Sequence, residues 1–231
     1  MLKARIGHVV PQSTLNYVLL RFPFLYHTSF VNYESYSADR GGIDDLVGQL
    51  KIVSSLDGNI IECGSARCGT SILIAKFLHS SRIQKKIYSL DLFGKGLDVN
   101  ELNEERKDGR TKVSGKAFTY NSFEYVLRKI RILGFDNTII PIQGFFRDTL
   151  QYVNSKFCLS FIDCDLSKSI EYCAEKVWPE TVSQGVMLFD DYGSQNYRGV
   201  KPTVDAFVSK YEDEIAHHGL LNRLYYVRKK N

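Results

Sequence analysis

The sequence predicts an α/β protein built on a doubly wound, mostly parallel sheet with helices on both faces. Short apolar runs recur along the chain, segments of helical periodicity separate them, and several of the runs end in a carboxylate. Apolar runs without clean alternation are what strands buried on both faces look like, and helical crossovers between them require a parallel sheet. With 231 residues, 44% of them hydrophobic, the chain suits one sizeable core with some elaboration.

Residues 1–42 are rich in aromatics ("RFPFLYHTSFVNYESY") and show no regular period, so residues 1–45 read as an N-terminal segment that packs on the core. From Asp44, read as a helix cap, Leu46, Val47, Leu50, Val53 and Leu56 fall on one helical face. Strands are expected at 59–63 (NIIEC), 86–91 (KIYSLD), 137–143 (NTIIPIQ), 158–163 (CLSFID) and 185–190 (GVMLFD). Helices are expected near 70–79, 119–133, 145–154, 168–178 and 202–213. The charged stretch 98–117 (DVNELNEERKDGRTKVSGKA) has few apolar residues, follows a strand end, and reads as a disordered or functional loop able to close over a site as a lid. The basic tail RLYYVRKKN reads as a solvated end.

Composition narrows the function. The net charge of +4 comes from 30 basic and 26 acidic residues mixed along the chain, not from the basic stripe of a nucleic-acid binder. The five cysteines are odd in number, sit in apolar surroundings and form no CxxC pair, which fits reduced thiols in a cytoplasmic protein. No signal peptide or membrane span is evident, and a homo-oligomer is compatible with the aromatic N-terminus.

Ligands of doubly wound sheets bind beyond the carboxyl ends of the strands, which makes Glu62, Asp91, Gln143, Asp163 and Asp190 neighbours along one edge. In "IIECGSARCGTS", Gly64 and Gly69 occupy the turn between the first core strand and its helix, where a ligand can approach backbone and helix N-terminus closely. The string has neither the Gly-Lys-Ser/Thr of a P-loop nor a true GxGxxG. Asp91, ending the next strand, can accept hydrogen bonds from the two hydroxyls of a ribose, so an adenosine-containing cofactor is expected. Dinucleotides and S-adenosylmethionine both meet that geometry, and Glu62 favours a cofactor with a cationic portion.

The adjacent carboxylates Asp190 and Asp191 need a cation or solvent, since like charges withdrawn from water are costly. Asp163 and Asp190 lie one strand-helix-strand unit apart, so their carboxylates should converge, with Asp191 as a third oxygen donor. Hard oxygen donors without converging His or Cys suit Mg²⁺ or Mn²⁺. Asp165 and Asp191 are the candidate general bases. His8, His27, His79, His217 and His218 lie in helical or terminal segments and are not assigned a role.

"ECGSARCGTS", "DLFGKGL", "GFFRDTL", "DCDLSKS" and "DDYG", in this order, resemble the macrocin O-methyltransferase (TylF-like) family of class I S-adenosylmethionine-dependent methyltransferases, over about residues 59–211. The chain departs from the family pattern at Ala66, where a Trp or other bulky residue is common, and at Cys68, where a second glycine is common. The resemblance implies a Rossmann-like methyltransferase domain over 46–231 and S-adenosylmethionine as cofactor. It implies that Glu62, Gly64 and Gly69 line the methionine end, that Asp91 holds the ribose, and that Gln143 and Phe145 lie near the adenine. Ser65, Thr70, Ser71, Gly144 and Asp163 complete the candidate cofactor contacts, and Asp163, Asp190 and Asp191 would bind magnesium. The expected reaction is methyl transfer to a hydroxyl of a sugar, a glycosylated natural product or a glycan. A catechol or other small diol is the alternative acceptor. A nicotinamide-dependent oxidoreductase or a non-catalytic nucleotide-binding protein is the remaining reading, and it leaves the aspartates unexplained.

Overall fold

The structure, a computed structural model, describes residues 40–94, 96–114 and 121–231. The expectation for the N-terminal segment therefore lies outside the described residues up to position 39. In chain order the elements are helix α1 (Arg40–Val53), strand β1 (Asn59–Cys63), α2 (Gly69–Ser80), β2 (Ile87–Asp91), α3 (Val99–Lys107), α4 (Phe123–Ile132) and β3 (Ile139–Gln143). There follow α5 (Phe146–Thr149), β4 (Phe157–Ile162), α6 (Ser167–Val177), β5 (Thr181–Phe189), α7 (Val200–Lys210), β6 (Ile215–Leu220) and β7 (Tyr225–Lys229).

The seven strands form one sheet in the order β3-β2-β1-β4-β5-β7-β6. β1 to β5 are parallel, and β7 runs antiparallel to both β5 and β6. The order reverses between β1 and β4, the crevice where a doubly wound sheet binds its ligand. Side chains alternate across the sheet. Ile60, Ile87, Leu159, Phe161 and Leu188 pack under α1, α2 and α4, while Ile61, Leu90, Ile162, Met187 and Phe189 meet α6 and α7. Each such fully buried side chain contributes about 1.5–3 kcal/mol of transfer free energy.

All five expected strands form, with ends displaced by a few residues. α1 begins at Arg40, so Asp44 lies inside the helix rather than capping it. Two other expectations are corrected. The tail is not a solvated end: Tyr225–Lys229 is β7, inserted between β5 and β6, with Tyr225 and Val227 buried on alternate positions. The charged stretch after β2 is not an unstructured loop over its described part, because residues 99–107 form α3, whose cap Asp98 accepts from the amides of Asn100 and Glu101.

α3 docks through carboxylates rather than through an apolar face. The cap residue of α6, Leu166, offers no side-chain acceptor. Instead Glu105 accepts from the Ser167 amide at 2.9 Å, and Glu101 accepts from the amide and hydroxyl of Ser169 at 2.8 and 2.7 Å. Two acids of one helix thus satisfy the orphan donors, and the positive dipole end, of another. Just beyond α3, the amide of Lys112 and the hydroxyl of Thr111 donate to the Asn196 carbonyl, which ties this segment to the loop that follows Asp191.

Candidate active site

The carboxyl ends of β1, β2, β4 and β5 open on a cavity of about 490 Å³, within the range of small-molecule sites (roughly 300–1,000 Å³). The register brings the ends together: the amide of Asp163 donates to the Cys63 carbonyl at 2.8 Å, and that of Asp190 to the Ile162 carbonyl at 3.1 Å. Gly64, Ala66, Asp91, Gly144 and Phe145 line one side of the cavity, and Asp163, Asp165, Asp190, Asp191, Tyr197 and Arg223 the other.

At Gly64 the ends of β1 and β4 approach closely. The glycine's φ is +95°, and a Cβ there would sit 1.9 Å from the carbonyl oxygen of Asp163. The turn continues through Ala66 (φ +44°) and Cys68 (φ +56°), both in the left-handed region. That conformation is the physical reason a glycine suits position 68, and Cys68 holds it within the core without one.

Asp91 ends β2 with its carboxylate held by the amides of Ala66 (2.9 Å) and Phe93 (2.7 Å). Withdrawal from water pushes its pKa up to about 6, against these hydrogen bonds. Glu62 is buried under the turn and accepts from the hydroxyl of Ser71, which is in turn 2.5 Å from the Ser89 hydroxyl. Burial raises the Glu62 carboxyl to about 7. Glu62, Ser65, Gly69, Thr70 and Ser71 are buried behind the cavity wall rather than on it. Gln143 is exposed and donates to the Leu92 carbonyl at 3.3 Å, so of the segment 143–145 it is Gly144 and Phe145 that reach the cavity.

On the other side, one carboxylate oxygen each of Asp163, Asp165 and Asp191 lie within 4.8 Å of one another. Asp165 (φ +66°) and Asp191 (φ +55°) are both left-handed, a strain of about 1–3 kcal/mol each that turns the pair toward the cavity. Withdrawal from water and mutual repulsion raise Asp163 and Asp165 well above the usual carboxylate range, and Asp191 to about 6. The Tyr197 hydroxyl donates to Asp165, and withdrawal from water, together with the neighbouring carboxylates, pushes its own pKa up.

Asp190, expected beside Asp163 and Asp191, does not belong to the three-oxygen cluster. Its carboxylate is forked by Arg223, Nε to Oδ1 at 3.0 Å and Nη2 to Oδ2 at 3.3 Å. Among the described residues Arg223 is the cation that contacts these aspartates, with Nη2 also 3.8 Å from Asp191. Of four carboxylates lining the cavity here the guanidinium contacts two, and a hard divalent ion fits the excess of oxygen donors and of negative charge.

Arg223, Tyr197 and the acids of α3 carry no motif. The signal for Arg223 was the period-two pattern of Tyr225 and Val227, which marks a strand whose preceding turn reaches the sheet edge. Tyr192 and Lys201 form a surface network with Asp205 in which Tyr192 donates at 2.6 Å. His217 and His218 lie on β6, where His218 Nδ1 is 2.6 Å from the Tyr225 hydroxyl, and His79 ends α2. His8 and His27 are outside the described residues. All five cysteines are free and buried. No helix among the described residues is long and apolar enough to cross a membrane.

The family model described as macrocin-O-methyltransferase (TylF) matches residues 44–217. Among solved structures, the O-methyltransferase NovP superposes with a TM-score of 0.71 at 19% identity, covering 96% of this chain and 100% of that one. The calicheamicin methyltransferase CalS11 gives 0.66 at 17%, over 95% and 93% of the two chains. An O-methyltransferase from Bacillus cereus in complex with SAH gives 0.58 at 12%, over 95% and 93%. No curated protein gave a match. At these identities the solved structures establish a shared methyltransferase fold, and the family rests on the model that matches most of the chain. The protein belongs to the macrocin-O-methyltransferase (TylF) family.

Proposed function

We propose that the protein transfers the methyl group of S-adenosylmethionine to a hydroxyl of a sugar, a glycosylated natural product or a glycan, with a divalent ion, Mg²⁺ or Mn²⁺, at the aspartate cluster. The observation that carries this reading is the placement of Asp163, Asp165 and Asp191 in one cavity with Gly64 and Asp91. The glycine cradle admits a ligand against the backbone, and Asp91 has lone pairs left to accept from ribose hydroxyls. Glu62, behind the turn, supplies negative charge toward a cationic methionine end. Gly144 and Phe145 flank the adenine position. The acceptor class is favoured by CalS11, described as a TDP-rhamnose 3'-O-methyltransferase.

The cofactor supplies an electrophilic methyl on sulfur, and a divalent ion would polarise the acceptor hydroxyl and fix its orientation. Asp163 and Asp191 are common to the strand-end pattern and the observed cluster and are the core of the ion site, with Asp190 beside them. Asp165 is the base. It lines the cavity beside Asp163 and Asp191, placed to take the hydroxyl proton as the new C–O bond forms and the S–C bond breaks, leaving S-adenosylhomocysteine and the methyl ether. Tyr197, donating to Asp165, fixes that carboxylate's orientation. Holding the acceptor in line is worth on the order of 7–11 kcal/mol.

The test is the thermal unfolding midpoint with S-adenosylhomocysteine or NAD⁺, each with and without Mg²⁺, followed by methyl transfer to nucleotide sugars and glycosides. At about 100 times its dissociation constant a ligand adds about 2.7 kcal/mol of stability. S-adenosylhomocysteine should raise the midpoint, and methyl transfer should stop in excess chelator. A rise with NAD⁺ alone sinks the cofactor assignment. Full turnover in chelator sinks the ion.

A further inference from the structure

Arg223 meets the aspartate cluster from the turn between β6 and β7, and the turn is fixed from outside the site. Asp45 of α1, itself buried, accepts from the amides of Asn222 (3.2 Å), Arg223 (2.7 Å) and Leu224 (3.0 Å) and from the Asn222 side chain (2.6 Å). Leu224 is locked in the core under the sheet. The backbone of Arg223 is thus clamped on both sides, and its guanidinium is aimed at the edge of the cavity. There it engages both oxygens of Asp190 and approaches Asp191. Asp190 is almost fully buried, so a carboxylate there needs a cationic partner, and the protein carries its own.

We propose that Arg223 is a positioning residue that competes with the divalent ion for the aspartate cluster, so that the β6–β7 turn sets the ion affinity of the site. The inference rests on the reading of that cluster as a divalent-cation site. Two effects act together. The fork to Asp190 keeps that carboxylate out of the three-oxygen cluster, and the positive charge, 3.8 Å from Asp191, opposes a second cation nearby. In return the protein without an ion keeps the buried carboxylate that ends β5 paired. Among the described residues no other cation contacts Asp190, so removal of the Arg223 charge acts directly on the ion's competitor.

Mn²⁺ binding to the full chain, read from the loss of the free-ion EPR signal at fixed ionic strength, tests this without recourse to turnover. Arg223→Gln should bind Mn²⁺ about tenfold tighter than the wild type, or about 1.4 kcal/mol. Arg223→Lys, which keeps the charge, should stay within about threefold of the wild type. Retention of the S-adenosylhomocysteine thermal shift certifies that each variant is folded. An unchanged or weaker Mn²⁺ affinity in folded Arg223→Gln overturns the competition. Should that variant not fold, Mg²⁺ titration of the wild type decides. The Arg223 Nε–H NMR signal should move as the ion loads, and a stationary signal alongside saturable ion binding overturns the proposal. If wild type and variants all bind S-adenosylhomocysteine but no ion, the cation-site reading falls, and this inference with it.

Discussion

Replacement of Glu62 by Gln separates the electrostatic cost of the cofactor side of the cavity from its function. Glu62 is 1% exposed, and burial raises its carboxyl from 4.5 to about 7. Because the folded value is the higher one, the native protein binds this proton more tightly than the unfolded chain. The associated stability is present below pH 4.5 and is lost as the pH rises through 7. At 1.36 kcal/mol per pH unit, the loss amounts to about 3 kcal/mol once ionisation is complete. Gln has nearly the same shape, can accept the Ser71 bond through its carbonyl, and does not titrate. The ligand-free variant should therefore exceed the wild type by about 1 kcal/mol at pH 5 and by up to about 3 kcal/mol at pH 8. Asp91 and Asp191, raised in the same direction, remain in both proteins, so the difference between the two curves reports Glu62 together with its repulsion of Asp91. Urea denaturation from pH 5 to 8 measures that difference. Calorimetry should show weaker S-adenosylhomocysteine binding at pH 8, since the negative charge behind the cavity wall is lost. Parallel stability curves for the two proteins would refute the reasoning, because Glu62 would then ionise as freely folded as unfolded.

Two further perturbations probe the frame of the site. Gly64→Ala puts a methyl group 1.9 Å from the Asp163 carbonyl oxygen at φ +95°, and the strand ends must part to admit it. Denaturant titration should show a loss of about 3 kcal/mol or more, with S-adenosylhomocysteine binding abolished, and wild-type stability would contradict the cradle. Glu105→Ala orphans the Ser167 amide at the start of α6 and should cost about 1–3 kcal/mol. Hydrogen exchange should then show faster exchange in residues 99–107, whereas unchanged protection would mean that α3 is held by something other than its acids.

The parts of the fold that could be read in advance were those specified by local hydrophobic pattern. NIIEC, CLSFID and GVMLFD are apolar because both faces of their strands are covered, and the carboxylates that end them follow from the rule that parallel strands present their C-termini to ligand. The misread parts are held by a different physics. IAHHGL and LYYVRK sit at the antiparallel edge of the sheet with one face partly in water, so their polar residues resemble a solvated tail, although Tyr225 and Val227 turn inward. α3 has little apolar surface because it docks through Glu101 and Glu105 on the amides of α6, an attachment that no hydrophobic period encodes. Arg223 illustrates the same limit at the site. Its partner Asp190 is distant in sequence, and the Asp45 clamp that aims it comes from the other end of the chain.

These carboxylates also bear on how ligands and stability are linked. Glu62, Asp91, Asp163, Asp165 and Asp191 all have raised proton affinities from the same first cause, withdrawal from water, and most of them repel one another as well. A site so composed is least stable when empty and ionised. A cationic cofactor end on one side and a divalent ion on the other would each lower the pKa values of the carboxylates they meet, so binding should release protons and stabilise most at the pH where the ligand-free protein is weakest. Arg223 supplies part of this compensation permanently, at Asp190, the most deeply buried member of the strand-end pair. The exchangeable part falls to Asp163, Asp165 and Asp191, the three carboxylates whose oxygens cluster in the cavity where an acceptor hydroxyl would have to be held.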